Sequence, residues 1–286
     1  MRKGGEQNML NNKENKIIKY LMYVCAIIWA ILSIAPLIFT LISSFKSTNE
    51  IYGNAFSLPN SIDFTNYQTA MEKANISTAI FNSFFLSIST TVLVVLLSTL
   101  VAYVITRTGF KLRNLVLTYF VIGLTIPMHT TIIPIADIIN RYGFKNKLIP
   151  LIFLYATFQL PFAVIMMTGY MKGISKEIDE AATIDGCGRL RLLFRILLPL
   201  SKPAAATVSI FTFLGVYNEF IFALMFLTDK SKYNISVALM SLNGRYSSDK
   251  GAIFAAISMF IIPIIVIYVL CQKHVEKGIT AGAVKG

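Results

Sequence analysis

The residue best equipped for chemistry in this chain is Glu219, set in the apolar run "FLGVYNEFIFAL" at 213–224. An ionised carboxylate near the middle of a bilayer costs about 2.5–3.5 kcal/mol on insertion scales, so such a residue faces other helices or water and has a partner. Tyr217 and Asn218 stand before it and add hydrogen-bonding groups. Two readings are open for the Tyr217, Asn218, Glu219 cluster: a structural hydrogen bond between helices, or the lining of a path for a polar solute. A proton-coupling site calls for more intramembrane carboxylates, cations or a relay histidine, and that inventory is poor here. Asn82, Thr125, Tyr155 and Gln159 also lie in apolar runs. They suit a neutral hydroxylated solute and ordinary helix packing equally well.

Other chemistry finds no support. The two histidines, His129 and His274, lack metal-ligand partners at helical spacing, and there is no phosphate-binding glycine loop, G-x-S-x-G or H-E-x-x-H. His129 reads as a core or pore-facing imidazole and His274 as a solvated residue of a basic tail. Cys25, Cys187 and Cys271 lie far apart, which argues against a metal site, a redox pair or a disulfide framework. No catalytic residue and no metal ligand is therefore expected, and this chain is not expected to hydrolyse anything by itself.

The elements that position these groups are membrane spans. Of the 286 residues 55% are hydrophobic and only 14% charged, with a mean hydropathy of +0.66. Apolar runs fall at about 17–44, 79–106, 114–139, 148–171, 204–228 and 251–272. About 20 apolar residues span the hydrocarbon core, so the expected fold is an all-α membrane protein with six transmembrane helices. The first run is too long for a signal-peptide core and no A-x-A-like site follows it, so it is expected to remain as a span. Pro127 and Pro134 interrupt the third run, which reads as a kinked helix.

The formal charge of +12 comes mostly from Lys and Arg that flank the apolar runs, so it reports topology rather than nucleic-acid binding. With the N-terminus in the cytoplasm, seventeen of the 26 basic residues fall inside; "RYGFKNK" at 141–147 opposes the bias. Both termini are expected inside, as a segment 1–16 and a tail 273–286 flanking a six-span body at 17–272. Outside, the stretch from Lys46 to Thr78 reads as a folded loop or short amphipathic helix, and "SLNGRYSS" centres a second loop between the last two spans. Solvated connection is the simple reading of both.

One polar block stands on the cytoplasmic side: "KEIDEAATIDGCGRLRLLFRILLPLSKPA", 176–204. Ser175 can cap a helix whose first turn holds Glu177, where the helix dipole favours an acid. Gly186 after Asp185 is a left-handed stop. A second amphipathic segment follows, with Leu190, Leu193, Phe194 and Leu197 expected on one face. A short helix, a tight bend and a second helix suit docking into a groove on a partner.

The block resembles the EAA loop of ABC-importer permeases, here at about 172–203. Glu180, Ala181, Ala182, Asp185, Gly186, Phe194, Ile196, Leu198, Pro199, Pro203 and Ala204 match its pattern, while Cys187 stands where a small residue such as Ala is typical. "NSFFLSISTTVLVVLLSTLVAYVITR" resembles the opening span of the permease core. "YNEFIFAL" is similar to the W-N-E-F segment of carbohydrate permeases, with Tyr217 for Trp. "GITAGAVKG" resembles the tail of the maltose-type G permease. The resemblance implies the type I ABC-importer permease fold in a bacterial cytoplasmic membrane. It implies a second homologous permease as partner, and two ATPase subunits that hold ATP and Mg. An extracytoplasmic binding protein would deliver a sugar. The helix around Glu180, Ala181, Ala182, Asp185 and Gly186 would couple to an ATPase, the tail at 282–286 would be a second contact, and the loop of Asn243, Gly244, Arg245 and Tyr246 would meet the binding protein. An ABC permease for another small solute, such as a polyamine or phosphate, and an autonomous secondary carrier are the alternatives. A membrane-embedded enzyme lacks catalytic pairs.

Overall fold

A computed structural model describes residues 3–242 and 249–283 of the chain. Helices are the regular structure of the described residues, with no strand among them. The order is α1 Lys3–Ser43, α2 Thr48–Gly53, α3 Thr65–Ala74, α4 Ile76–Arg107, α5 Arg113–Thr125, a 3-10 turn Met128–Thr131, α6 Ile132–Arg141 and α7 Leu148–Lys172. Then come α8 Glu177–Ile184, α9 Arg189–Arg191, a π-helical segment Leu192–Leu197, α10 Leu198–Leu200, α11 Lys202–Tyr217, α12 Ile221–Phe226, a 3-10 turn Lys230–Lys232, α13 Ile235–Ser241 and α14 Lys250–Ala283. Four stretches are individually long and apolar enough to cross a membrane: Ile18–Ser43, α4, α7 and Lys250–Val269. Counting each of two bent pairs as one span gives up to six, compatible with the six apolar runs, although the second pair, Arg189–Leu200 with Lys202–Tyr217, begins in the block expected outside the membrane.

Two of those runs are not the continuous helices expected. The third breaks after Thr125, and the following helix leaves at 88°. Pro127 explains the break: it lacks an amide hydrogen and pushes the preceding residue out of helical geometry, and Ile126 has φ −77° and ψ 115°. The thirteen residues of α5 rise only about 20 Å. His129 consequently sits exposed in the 3-10 turn at the bend rather than inside a kinked span. The fifth run stops at Tyr217 and restarts at Ile221, and Pro199 and Pro203 precede it at a 76° bend from the segment Arg189–Leu200.

The core is organised along α4. Its buried positions Ser83, Ser87, Thr90, Val94, Ser98, Ala102 and Ile105 recur every three or four residues and form one stripe. Most are small, which lets α7 and α11 pack closely along it; lipid tails give no hydrophobic drive between helices, so close packing is what holds them. Pro161 in α7 fits against Gly123 of α5, where an added Cβ would meet the proline ring at 3.1 Å. Along the Ile18–Ser43 stretch of α1 no residue of the most apolar window is buried by the rest of the chain.

At the α3 end of α4, the stretch expected to be a folded loop or short amphipathic helix holds two short helices, α2 and α3, and closes as a cap. Asn66 Nδ2 donates to the carbonyls of Ser44 and Lys46, both at 2.8 Å, and the hydroxyls of Ser44 and Tyr67 meet at 2.7 Å. Lys46 is fully buried, with its ammonium donating to the Ala55 carbonyl at 2.9 Å and, more weakly, to Asn54 at 3.4 Å. α14 begins against the same carbonyl. A Cβ on Gly251 would stand 2.4 Å from Lys46 O and 2.5 Å from Asn66 Nδ2. Gly251→Ala is therefore expected to lower stability by about 1–3 kcal/mol, the usual range for overpacking. A drop in melting temperature of the detergent-solubilised protein checks this, and an unchanged melt would mean that α14 is free to move off the cap.

Candidate functional site

α8 lies at the opposite end of α4 from that cap. Ser175 Oγ accepts from the Glu177 amide at 3.2 Å two residues ahead of the helix start, but the N-cap position is Lys176 and carries no side-chain cap. The helix ends in a Schellman motif: Cys187 N–H donates to Ala182 O at 2.8 Å and Gly186 N–H to Thr183 O at 3.0 Å. Gly186 has φ +72°, the left-handed value expected from the sequence. Ala182 is buried with Cys187 packed beside it, whereas Glu180, Ala181, Asp185 and Gly186 are all exposed. Ile184 is 86% exposed and Leu190 70%, so the free face of the bend mixes acids with uncovered apolar side chains.

The second segment differs from its expected face. Leu193 and Leu197 are buried, but Leu190 and Phe194 are exposed and Leu192 takes their place in the core. The cause is the π-helical register at Leu192–Leu197: its wider turn brings residues five apart onto one face, which a 3.6-residue period misassigns.

An ion pair ties α8 to α4. Arg107 Nε, on a side chain only 4% exposed, lies 2.9 Å from Asp179 Oδ2, and Arg107 Nη2 donates to Ile174 O at 2.9 Å. The approach to Asp179 is off the N–H axis, so it is an electrostatic contact rather than a hydrogen bond, and Asp179 Oδ1 has no protein donor. Asp179 was not singled out in the sequence; the Arg that ends the fourth helix and an acid 72 positions later carry no local signal of pairing.

The polar cluster of the fifth run sits at the α11–α12 break. Glu219 accepts from the Phe222 amide at 2.8 Å and the Ala223 amide at 3.0 Å, and Tyr155 of α7 donates its hydroxyl to Oε2 at 2.6 Å. Its own carbonyl accepts from Asn234 Nδ2 at 2.7 Å, and Asn234 Oδ1 caps α13 through the Val237 amide at 3.0 Å. Asn82 of α4 donates to the Ser231 and Tyr233 carbonyls at 3.1 and 2.9 Å, and Ser83 Oγ accepts from the Ile235 amide at 2.8 Å. The carboxylate thus closes the start of a half-helix, where amide donors and the dipole favour an anion.

The three cluster residues do not act together. Tyr217 is fully buried, its ring stacked between Phe213 at 5.6 Å and Phe260 at 5.2 Å, and so faces no path. Asn218 is exposed, with its amide donating to Leu214 O at 2.8 Å, and Glu219 is half-buried. The connection before α14, expected as a solvated loop, instead sends α13 inward: Asn234, Ile235, Val237 and Ala238 are all buried. Asn243, Gly244, Arg245 and Tyr246 lie outside the described residues. Among the described residues no three metal-ligating side chains converge.

Comparison with known proteins places this architecture. The profile of the binding-protein-dependent transport system inner membrane component matches residues 94–281. The diacetylchitobiose uptake system permease protein NgcG of Streptomyces coelicolor is 35% identical over 258 residues, 90% of this chain and 85% of its own. The multiple sugar-binding transport system permease protein MsmG of Streptococcus mutans is 32% identical over 277 residues, 96% of this chain and 99% of its own. In structure, the chain is similar to a chain of a bacterial ABC transporter involved in importing the acidic polysaccharide alginate. The TM-score is 0.80 at 24% identity, covering 91% of this chain and 97% of the other. The chain belongs to the family of binding-protein-dependent transport system inner membrane components: it is a multi-pass permease subunit of an ABC importer, in which ATP hydrolysis falls to separate subunits.

Glu219→Gln would set an amide NH2 against a donor that the carboxylate now accepts. A loss of about 1–3 kcal/mol is expected for the group left unsatisfied. It should appear as a lower melting temperature and a lower yield of folded subunit, with Tyr155→Phe showing a smaller drop. Normal yield with altered uptake kinetics would instead mark Glu219 as part of the solute path.

Proposed function

We propose that this chain is one half of the transmembrane pathway of an importer for oligosaccharides or related sugars, with α8 as the helix that an ATPase subunit grips. The names of the relatives support the solute class, since NgcG and MsmG serve diacetylchitobiose uptake and multiple sugar-binding transport. The observation that carries the coupling role is the construction of α8. It offers an exposed face to a partner, while Ala182 on its inner side is buried in a core cluster and the Arg107–Asp179 pair ties it to the end of α4. In this reading α8, the N-terminus and the tail at 273–286 are cytoplasmic, and the α2–α3 cap faces a solute-binding protein. Two ATPase subunits bind ATP and Mg, a homologous permease completes the pathway, and the tail at 282–286 is a second ATPase contact. The carboxylates of Glu180 and Asp185 and the uncovered Ile184 form the gripped surface. Asn218 is the candidate solute contact left by the burial of Tyr217.

Gly186→Asp tests the coupling assignment. An aspartate at φ +72° strains the bend and adds charge to the surface. Affinity purification in mild detergent from native membranes is expected to recover a homologous permease and an ATPase with the wild type. The variant should keep the permease and lose most of the ATPase, with sugar uptake falling in parallel. Full ATPase recovery and normal uptake in the variant would refute the assignment, and recovery of the chain alone in both samples would favour an autonomous carrier.

A further inference from the structure

At the α8 end of the bundle the ends of four elements enclose a cleft of about 440 Å³. Its walls come from the last turn of α4, the first turn of α5, the end of α7 and the Gly173–Lys176 link to α8. Arg107, Arg113, Lys172 and Lys176 line it, with Asn114 and Ser175 as neutral hydrogen-bonding neighbours, and no acidic residue lines it. Arg107 is committed to Asp179 and the Ile174 carbonyl. Arg113, Lys172 and Lys176 are exposed and make no ion pair among the described residues. Three uncompensated cations therefore converge on one concavity. Beside it, a second hollow of about 220 Å³ runs between α4 and α5, lined only by apolar side chains that include Leu100, Val104, Phe110 and Val116. Ile105 lines both.

We propose that this paired feature is a binding site for one anionic phospholipid, its phosphate headgroup in the basic cleft and an acyl chain along the α4–α5 hollow. The combination argues for lipid over a soluble anion, which needs the cations but has no use for an apolar channel leading away from them. It also argues against ordinary flanking charge: residues that merely mark the membrane boundary extend outward to water, whereas these surround a cavity. The position fits, because α4, α5 and α7 all begin or end there and so bring their termini to the headgroup level. Basic pockets between spans at this depth are recognised sites for anionic headgroups. A lipid seated here touches the Gly173–Lys176 link and Arg107, and so braces the same joint through which α8 meets α4. Placement in the cytoplasmic leaflet rests on the orientation proposed above; the site itself rests only on the chain being a membrane protein.

The test is native mass spectrometry of the complete importer in mild detergent, delipidated and then titrated with phosphatidylglycerol or with phosphatidylcholine of the same chain length. One phosphatidylglycerol per copy of this chain should bind in preference to phosphatidylcholine. Replacing Arg113, Lys172 and Lys176 by Ala should weaken binding by about fivefold for each cation removed, since each contributes on the order of 1 kcal/mol. Val104→Trp, which fills the hollow and spares the cations, should weaken the lipid as well, while leaving binding of inorganic phosphate unchanged. Equal retention of the two lipids by the wild type, or no effect of the triple substitution, would overturn the proposal. So would saturation by inorganic phosphate with no effect of Val104→Trp, or loss of an ATPase subunit from the triple variant with lipid binding intact. Accessibility of a cysteine placed at Lys111, probed from either side of the membrane, reports orientation separately, so failure of the leaflet assignment remains distinct from failure of the site.

Discussion

Inside hydrocarbon a helix that stops must find protein partners for every amide and carbonyl it releases, because no water is there to supply them. This chain stops helices within its apolar body at least twice, and much of its sparse polarity is spent on the consequences. Glu219 accepts the first amides of α12, and Asn234 holds the Glu219 carbonyl while capping α13. Asn146, from the basic connection between α6 and α7, accepts from the Thr228 and Asp229 amides at 2.7 and 2.9 Å just past the end of α12. Asn82 and Ser83 anchor the approach to α13 from α4. The break between α11 and α12 and the approach to α13 are thus held together by Glu219 and Asn234 beside them and by side chains from α4 and the α6–α7 connection.

That arrangement separates two jobs that an apolar sequence with a few polar residues leaves entangled. The polar network around Glu219 fixes the shape of the broken span, and its donors leave the carboxylate little capacity for a solute. The joint at the other end of α4 is built differently, from a small buried contact at Ala182 and a largely desolvated ion pair that is short but imperfectly aligned. Burying a pair of charges adds little net stability, while removing either partner alone is strongly destabilising. Such a pair holds orientation between two helices.

Some of this was legible along the chain. The number of apolar runs, the bond from Ser175 to the Glu177 amide and the left-handed stop at Gly186 were readable because each depends on neighbours within a few residues. Capping and positive φ are local chemistry, and hydropathy over twenty residues is nearly so. The failures are equally specific. Pro127 was visible, but not whether the helix would kink or turn by 88°, since that depends on what packs against α6. A 3.6-residue period puts Leu190 and Phe194 on one face with Leu193 and Leu197, and the π-helical turn divides that face. The stretch at 235–238 looks like an ordinary loop beside two spans, and nothing within it announces that it folds back into the core.

Composition and short-range pattern thus determined that the chain is a helical membrane protein with several apolar runs, and that a short helix with a glycine stop stands between two of them. Only the tertiary structure decided that Tyr217 belongs to an aromatic stack and Glu219 to a helix break, that Lys46 is sealed under a cap, and that Arg107 meets Asp179. The physical reason is range. A cap or a span is satisfied by residues a turn or two away, whereas the partner of a buried charge or a freed carbonyl can come from any helix: Lys46 reaches a carbonyl 9 positions away, Tyr155 a carboxylate 64 away and Asn82 a carbonyl 151 away.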